Sequence, residues 1–408
     1  MFFRGRIMKS FISIFILILI VSSCSSRRTN TRINKNSEIG ENSETGENSE
    51  TGENSETGEN SETGENSETG ENSETGTNSE TGTNSETGTN SETGTNSETG
   101  DPPASGGLPD FTYKGVILHS DDLKHSPKND LIHPTIIKTS EHIKRPLGKY
   151  YMYYSPHAHI AVSMAYSNNL AGPWTEYKNN PVIDGPAAPD IRWIEEHKKF
   201  FMWAHSNNAR TELWETEDGI RFQKSNDVKT NIAAAEVGTK NATYTRVYKR
   251  RIEGVNNRYI MLYSGLKEST GKRHIWLAHS NDAKKWTQLK QPLVEPASGE
   301  NDQIYGPSYV RYANRNYIVY QDNSSNSSGG IIKYVEVSDK FDPVGTRGER
   351  RVLLHPPTDD PLIKKQRYRG GEFYQDGSTI YMYSGASAKY KEVIVFATAE
   401  IKPENWGP

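Results

Sequence analysis

The chain has 408 residues, 33% of them hydrophobic, with a formal charge of −4 and one cysteine. A lone cysteine excludes an intramolecular disulfide and a cysteine-ligated metal cluster. With no block of Lys and Arg in the globular part, a nucleic-acid partner is not expected.

Residues 1–24 read as an export signal. Arg4, Arg6 and Lys9 precede an apolar run from Phe11 to Val21 that is too short to span a bilayer comfortably. The run ends in Val21-Ser22-Ser23-Cys24, which resembles the lipobox of bacterial lipoproteins. The resemblance implies cleavage before Cys24, a lipid on its thiol and a membrane-anchored protein; Ser25 after the cysteine looks like the outer-membrane pattern. Residues 25–110 are expected to be a tether. From Glu41 to Gly100 they run through ten hexapeptides, six ENSETG and then four TNSETG. Nothing apolar recurs there, so no core offsets the backbone entropy of ordering. As a flexible coil the repeats span about 40–45 Å, and more because their glutamates repel. Setting aside the 7 basic and 1 acidic residues of the first forty and the 16 repeat glutamates leaves 41 basic and 35 acidic residues, a head of about +6. That mild charge suits an anionic glycan without requiring one.

Residues 111–408 carry strand signals and almost no sustained 3.6-residue period. One unit recurs five times. An aromatic-aliphatic strand ending in a small or polar residue, at 150–155 (YYMYYS), 200–205 (FFMWAH), 260–264 (IMLYS), 317–321 (YIVYQ) and 380–384 (IYMYS), is followed each time by a second strand. The second strands are 160–167, 211–217, 275–280, 331–338 and 393–399. The end-points Ser155, His205, Ser264, Gln321 and Ser384 lie 50, 59, 57 and 63 residues apart, the length of a propeller blade. The fold expected is an all-β, five-bladed propeller of four-stranded antiparallel blades. Innermost strands are expected at 134–139, 190–195, 244–250, 308–313 and 372–375, and outermost ones at 174–177, 221–224, 286–290 and 351–355. The fifth blade lacks a fourth strand, and 111–118 is left over to pair onto it and close the ring. Trp174, Trp214 and Trp286 recur in outer halves of blades and read as packing between them.

Strand direction then locates the chemistry. A hairpin brings the start of each innermost strand and the end of the next strand to one face. That mouth would gather His133, Asp190, Arg246, Tyr305 and Glu372 from strand starts. Strand ends would add His157, His205, Gln321, Asp322 and Ser384. Polar groups are costly to bury without a purpose. Asp190 and Glu372, with Glu236 if its loop folds inward, are the candidate acids; His133 or His157 is a candidate base. His157, His205, Arg246, Tyr305 and Asp322 are candidate substrate-binding residues. Alternatives stand beside these. Asp190 can be read as capping the turn after Pro189, Glu372 as pairing with Arg369, and Arg246 as a structural hub. No cofactor is implied; His133, His157 and His205 lie on separate strands without ligand spacing, which speaks against a metal site, and a structural or axial metal ion is left open.

The first-blade segments GKYYMYYS (148–155), IAVSMAYS (160–167) and GPWT (172–175) are similar to the first blade of glycoside hydrolase family 43, the arabinanase and xylosidase propellers. APDI at 188–191 resembles that family's second-blade motif, whose Asp tunes the catalytic acid, so the resemblance gives Asp190 the modulator role. The likeness covers most of 131–401 in layout. It departs at two points: His133-Pro134 stands where the family has Asp-Pro carrying the base, and the third blade offers TYTRVY (243–248) in place of Glu-Gly-Pro carrying the acid. Uncharacterised propellers of the same clan with a His-Pro first strand and a Tyr-x-Arg-Val third blade are similar too. The resemblance implies a monomeric glycoside hydrolase acting on carbohydrate at the axial mouth. The alternatives are a non-catalytic glycan-binding lipoprotein and an adhesin or scaffold.

Overall fold

A computed structural model describes residues 106–407 apart from 128–130, 157–159, 207–209, 227–231, 234–236, 299, 301–302, 324–329, 356, 358–367 and 388–391. It shows five antiparallel sheets in a ring. Blade one runs Leu131–Lys138, Tyr150–Pro156, Ala161–Ser167, Thr175–Glu176 from the axis outward. Blade two runs Ala187–Ile194, Lys199–His205, Arg210–Thr216, Gln223–Lys224. Blade three runs Thr243–Tyr248, Tyr259–Leu266, Arg273–Ser280, Thr287–Gln288. Blade four runs Ile304–Tyr312, Arg315–Asp322, Ile331–Val337, Arg351–Leu354. Blade five has Tyr368–Asp376, Thr379–Ser387 and Glu392–Glu400, and its fourth strand is Thr112–His119. Val116 pairs with Val395 there, so the N-terminal strand closes the ring as expected. The described residues include no α-helix.

Alternation on each strand sends apolar side chains to both faces of a blade. Five apolar clusters result, one in each gap between neighbours. Tyr151, Tyr153 and Met164 of blade one meet Ile191, Phe200 and Met202 of blade two. Leu131, Tyr150 and Met152 meet Tyr383 and Ile394 of blade five across the closure. Trp174, Trp214 and Trp286 each lie in such a gap. Tyr153 donates its hydroxyl to the Gly219 carbonyl of the next blade at 2.7 Å, and Tyr383 does the same to Leu170 at 2.9 Å.

The innermost strands begin one to four residues earlier than the sequence suggests, because each runs through a bulge. The pairing register slips between Ile132 and Thr135, Ala187 and Asp190, Thr243 and Arg246, Tyr305 and Ser308, and Arg369 and Glu372. At every slip one residue takes a positive φ: His133 (52°), Ala188 (53°), Tyr244 (58°), Gly306 (61°) and Gly370 (71°). Three of these five carry a β-carbon, a strain of about 1–3 kcal/mol each that the surrounding ring must hold. A bulge leaves a backbone N–H without its ladder partner. The preceding blade supplies one: Ala188 N–H donates to Ser155 Oγ at 2.7 Å, Gly306 N–H to Ser264 Oγ at 3.1 Å, and Gly370 N–H to Gln321 Oε1 at 3.2 Å. The polar ends of the recurring strands therefore clamp one blade to the next. These polar strand ends thus have a purpose in the interior that needs no ligand.

Candidate functional site

Pairing resumes after each bulge at an equivalent position, occupied by Thr135, Asp190, Arg246, Ser308 and Glu372. These five line the axial channel just below its mouth. Asp190, Arg246 and Glu372 are almost fully buried. Arg192, two residues beyond Asp190 and so on the same strand face, joins them from below.

The four charges form one network. Arg192 Nη2 lies 2.7 Å from Asp190 Oδ1 and 3.3 Å from Glu372 Oε2, and its Nε donates to the Val247 carbonyl at 3.0 Å. Arg246 Nη1 lies 3.4 Å from Asp190 Oδ1 and 3.9 Å from Glu372 Oε1. It also donates to the Pro189 carbonyl at 3.0 Å, while Nη2 donates to the Pro134 carbonyl at 2.8 Å. Arg246 thus ties blades one, two, three and five together, the hub role. Asp190 Oδ2 accepts the Val247 N–H at 2.8 Å. Complete burial pushes the Asp190 carboxyl above its ordinary value, against the pull of Arg192, Arg246 and that N–H. Arg192 loses solvation too, but Asp190 and Glu372 more than offset the loss and hold its guanidinium firmly protonated. Tyr248, below them, is pushed up to about 12, chiefly by burial.

The two carboxylates come from non-adjacent blades and share one guanidinium nitrogen, so they are no farther apart than its two contact distances combined. That limit is shorter than the roughly 6.5–9.5 Å between the carboxyls of an inverting glycosidase and leaves room only for the closer, retaining spacing of about 5–5.5 Å. The space between them, however, is filled by arginine, and both charges are already compensated.

Above the network sits an aromatic group at the mouth. The buried His133 ring stacks on Tyr244 with centroids 4.4 Å apart at 21°. Tyr244 meets His205 edge-on at 5.4 Å and Tyr305 at 5.5 Å, and the Arg273 guanidinium lies 5.4 Å from the Tyr305 ring. Gln321 Nε2 donates to the Tyr305 hydroxyl at 3.1 Å. His133 reaches across the axis to blades four and five: a β-carbon on Gly306 would lie 3.3 Å from His133 Cε1, and one on Gly370 would lie 3.1 Å from His133 Nδ1. Glycine at these two positions serves both the positive φ and the imidazole's close approach.

Among the sequence candidates, the structure brings His133, His205 and Tyr305 together at the mouth, with Asp190, Arg246 and Glu372 beneath. Asp322 points to the other face of its strand. It pairs with Lys333 at 2.8 Å, and that ammonium also lies 3.3 Å from the buried Glu300. Glu236 and His157 lie outside the described residues, as does Cys24. The described residues contain no group of three or more His, Cys, Asp or Glu able to hold a metal ion. Sequence reasoning missed Arg192 and Tyr244. The strand spacing Asp190-x-Arg192 signals the first; nothing in TYTRVY (243–248) marks the second, because no proline follows Tyr244 as one follows His133, Ala188 and Gly306.

No protein-family model matches the sequence, and no curated protein does. Solved structures match throughout the propeller. A glycosyl hydrolase from Bacteroides ovatus is 13% identical over 76% of this chain and 98% of its own, with a TM-score of 0.51. A structure from work on the GH130 family of mannoside phosphorylases, described as containing glycoside hydrolases that target β-1,2 mannosidic linkages in Candida mannan, is 14% identical over 76% of this chain and 99% of its own, also at 0.51. The chain has the fold of the glycoside-hydrolase propellers. At these identities the likeness is one of fold, and chemistry has to be argued from the site.

Proposed function

We propose that this protein is a lipid-anchored propeller that recognises carbohydrate at the mouth of its axial channel. Binding is the reading that the described residues favour over hydrolysis. The observation carrying it is the placement of Arg192 and Arg246 between Asp190 and Glu372. An acid must reach the glycosidic oxygen while a base or nucleophile faces the anomeric carbon across the sugar ring, and here guanidinium groups fill the space between the two carboxylates. The half-buried Tyr244 ring, backed by His133 and flanked by Tyr305, is the platform on which a sugar face would stack.

Hydrolysis is the second reading, and His133 favours it. It stands on the axis where the resembling family carries its base, so a reaction would use His133 as base with Glu236 as the acid. A scaffold role has less support. Leu147, Ile160 and Val352, the exposed large apolar residues among those described, are scattered over two blades and form no patch. The tether and the lipid on Cys24 would display the propeller outside the membrane.

A glycan panel tests the proposal with the full chain. Binding that Tyr244→Ala weakens tenfold or more, without release of reducing ends, supports recognition. Release of reducing ends that His133→Ala abolishes in a folded protein overturns it in favour of hydrolysis. No binding to any glycan overturns both.

A further inference from the structure

The channel has a second opening, at the ends of the innermost strands, and a cavity of about 610 Å³ lies there. This volume falls within the roughly 300–1,000 Å³ typical of small-molecule sites. Trp193, Tyr248, Phe373, Tyr374 and Trp406 line it, and all five are only half-buried although they stand around the propeller axis. Large rings are normally covered in such a position. Trp406 arrives on the short strand Trp406–Gly407, which pairs with Arg311 and Tyr312 of blade four. The floor is the underside of the charged network, Arg192 and Glu372; the Arg192 side chain keeps 24% of its surface accessible and that of Glu372 3%.

We infer that this cavity is a binding site for a neutral saccharide, separate from the mouth and on the opposite face. Arg192 and Glu372 place N–H donors beside a carboxylate acceptor, 3.3 Å apart, and a vicinal diol needs both. One hydroxyl donates to the carboxylate while its neighbour accepts from the guanidinium. The aromatic walls meet the C–H faces of the ring. Charge selects a neutral ligand. Arg192 and Glu372 neutralise each other, and Glu141, Glu195 and Lys249 add both signs to the lining, so no single-sign field draws an ion in. The inference goes beyond the mouth reading and does not depend on it, because the charged network and His133 separate the two openings.

Full-chain protein titrated with cellobiose, mannobiose, xylobiose, galactobiose and maltose, followed by tryptophan emission and by heat, provides the test. At least one disaccharide should bind saturably, with affinity reduced tenfold or more by Trp193→Ala. Lys249→Trp changes an exposed rim residue and should reduce affinity similarly by narrowing the entrance, which keeps the test valid should Trp193→Ala fail to fold. Tyr244→Ala, at the mouth, should leave this binding unchanged. The inference is overturned if no disaccharide binds. It is also overturned if binding is lost in Tyr244→Ala and kept in folded Lys249→Trp, a result that would leave the mouth reading intact.

Discussion

Asp190→Asn perturbs the charged network without changing its volume, so no cavity term enters. In the parent, two carboxylates balance two guanidiniums, and Asp190 alone contacts Arg192 at 2.7 Å, Arg246 at 3.4 Å and the Val247 N–H at 2.8 Å. The variant leaves Glu372 to balance both arginines at a site where Asp190 is fully buried. Breaking a buried pair from one side costs about 3–5 kcal/mol, because the remaining charge stays desolvated and unpaired. Against a typical total stability of about 5–15 kcal/mol this is a large share. With a urea m-value near 3 kcal/mol per molar, the unfolding midpoint should fall by on the order of 1 M. Adding Arg246→Met restores neutrality, although it strips the Pro134 and Pro189 carbonyls of their donor. The double variant should therefore lose less than the two single losses together, by about 1–3 kcal/mol. Urea unfolding of all four proteins decides the matter. A midpoint for Asp190→Asn within about 0.2 M of the parent, or strictly additive losses, would refute the view that these residues act as one neutral unit.

Other substitutions read single features. Gly370→Ala meets both a φ of +71° and the His133 ring 3.1 Å from the new methyl, whereas Gly377→Ala meets a φ of +65° in open space. The second should cost about 1–2 kcal/mol and the first clearly more, measured by thermal unfolding; equal losses would mean that His133 does not fill the axis. Ser155→Ala leaves the Ala188 N–H without its acceptor and should cost about 1–3 kcal/mol by urea unfolding. Glu176 gives a pH dependence. Burial raises its carboxyl, but N–H groups of Lys124, Ser126 and His125 outweigh that and hold it below its ordinary value of 4.5. A depressed value means stability that is present above pH 4.5 and lost as pH falls through the folded-state value. The parent should lose stability more steeply below pH 4.5 than Glu176→Gln, and parallel curves from pH 6 to 3 would contradict the cradle.

Blade count, strand order and ring closure were legible because they rest on period-two alternation and a repeat length, both local in sequence. Tyr153 and Tyr383 hold equivalent places in YYMYYS and IYMYS and make the same bond to the next blade. The bulges were not legible. His133-Pro134, Ala188-Pro189 and Gly306-Pro307 look like strand boundaries, because proline and a broken alternation ordinarily mark them. In the ring, the N–H of the residue before the proline has a partner on the preceding blade at Ala188 and Gly306, so the strand continues. The grouping of the charged residues was legible, and the partner that pairs with them was not. Strand direction placed Asp190, Arg246 and Glu372 together, but their partner Arg192 decides whether two carboxylates face a ligand or face arginine. Asp322 fails for a simpler reason. Adjacent strand residues point to opposite faces, and Gln321 takes the one toward the mouth.

A neutral network on the axis has a consequence for both openings. Separate unpaired charges in a channel with low-dielectric walls would project a field toward each mouth and select ligands by sign. Two carboxylates and two guanidiniums within 4 Å contacts largely cancel and leave only short-ranged dipolar fields outward. On the proposed readings, selection at the mouth would fall to Tyr244, His133 and Tyr305, and at the opposite face to the aromatic walls with their donor–acceptor floor. Removing one charge would change this at once. Asp190→Asn leaves a net positive axis, so at low salt a folded sample should bind glucuronate-containing oligosaccharides more tightly than the parent does, and the gain should disappear as salt shortens the screening length to about 3 Å near 1 M. Isothermal titration at two salt concentrations measures it. A gain that persists at high salt would place its origin in contact geometry and not in the charge of the axis.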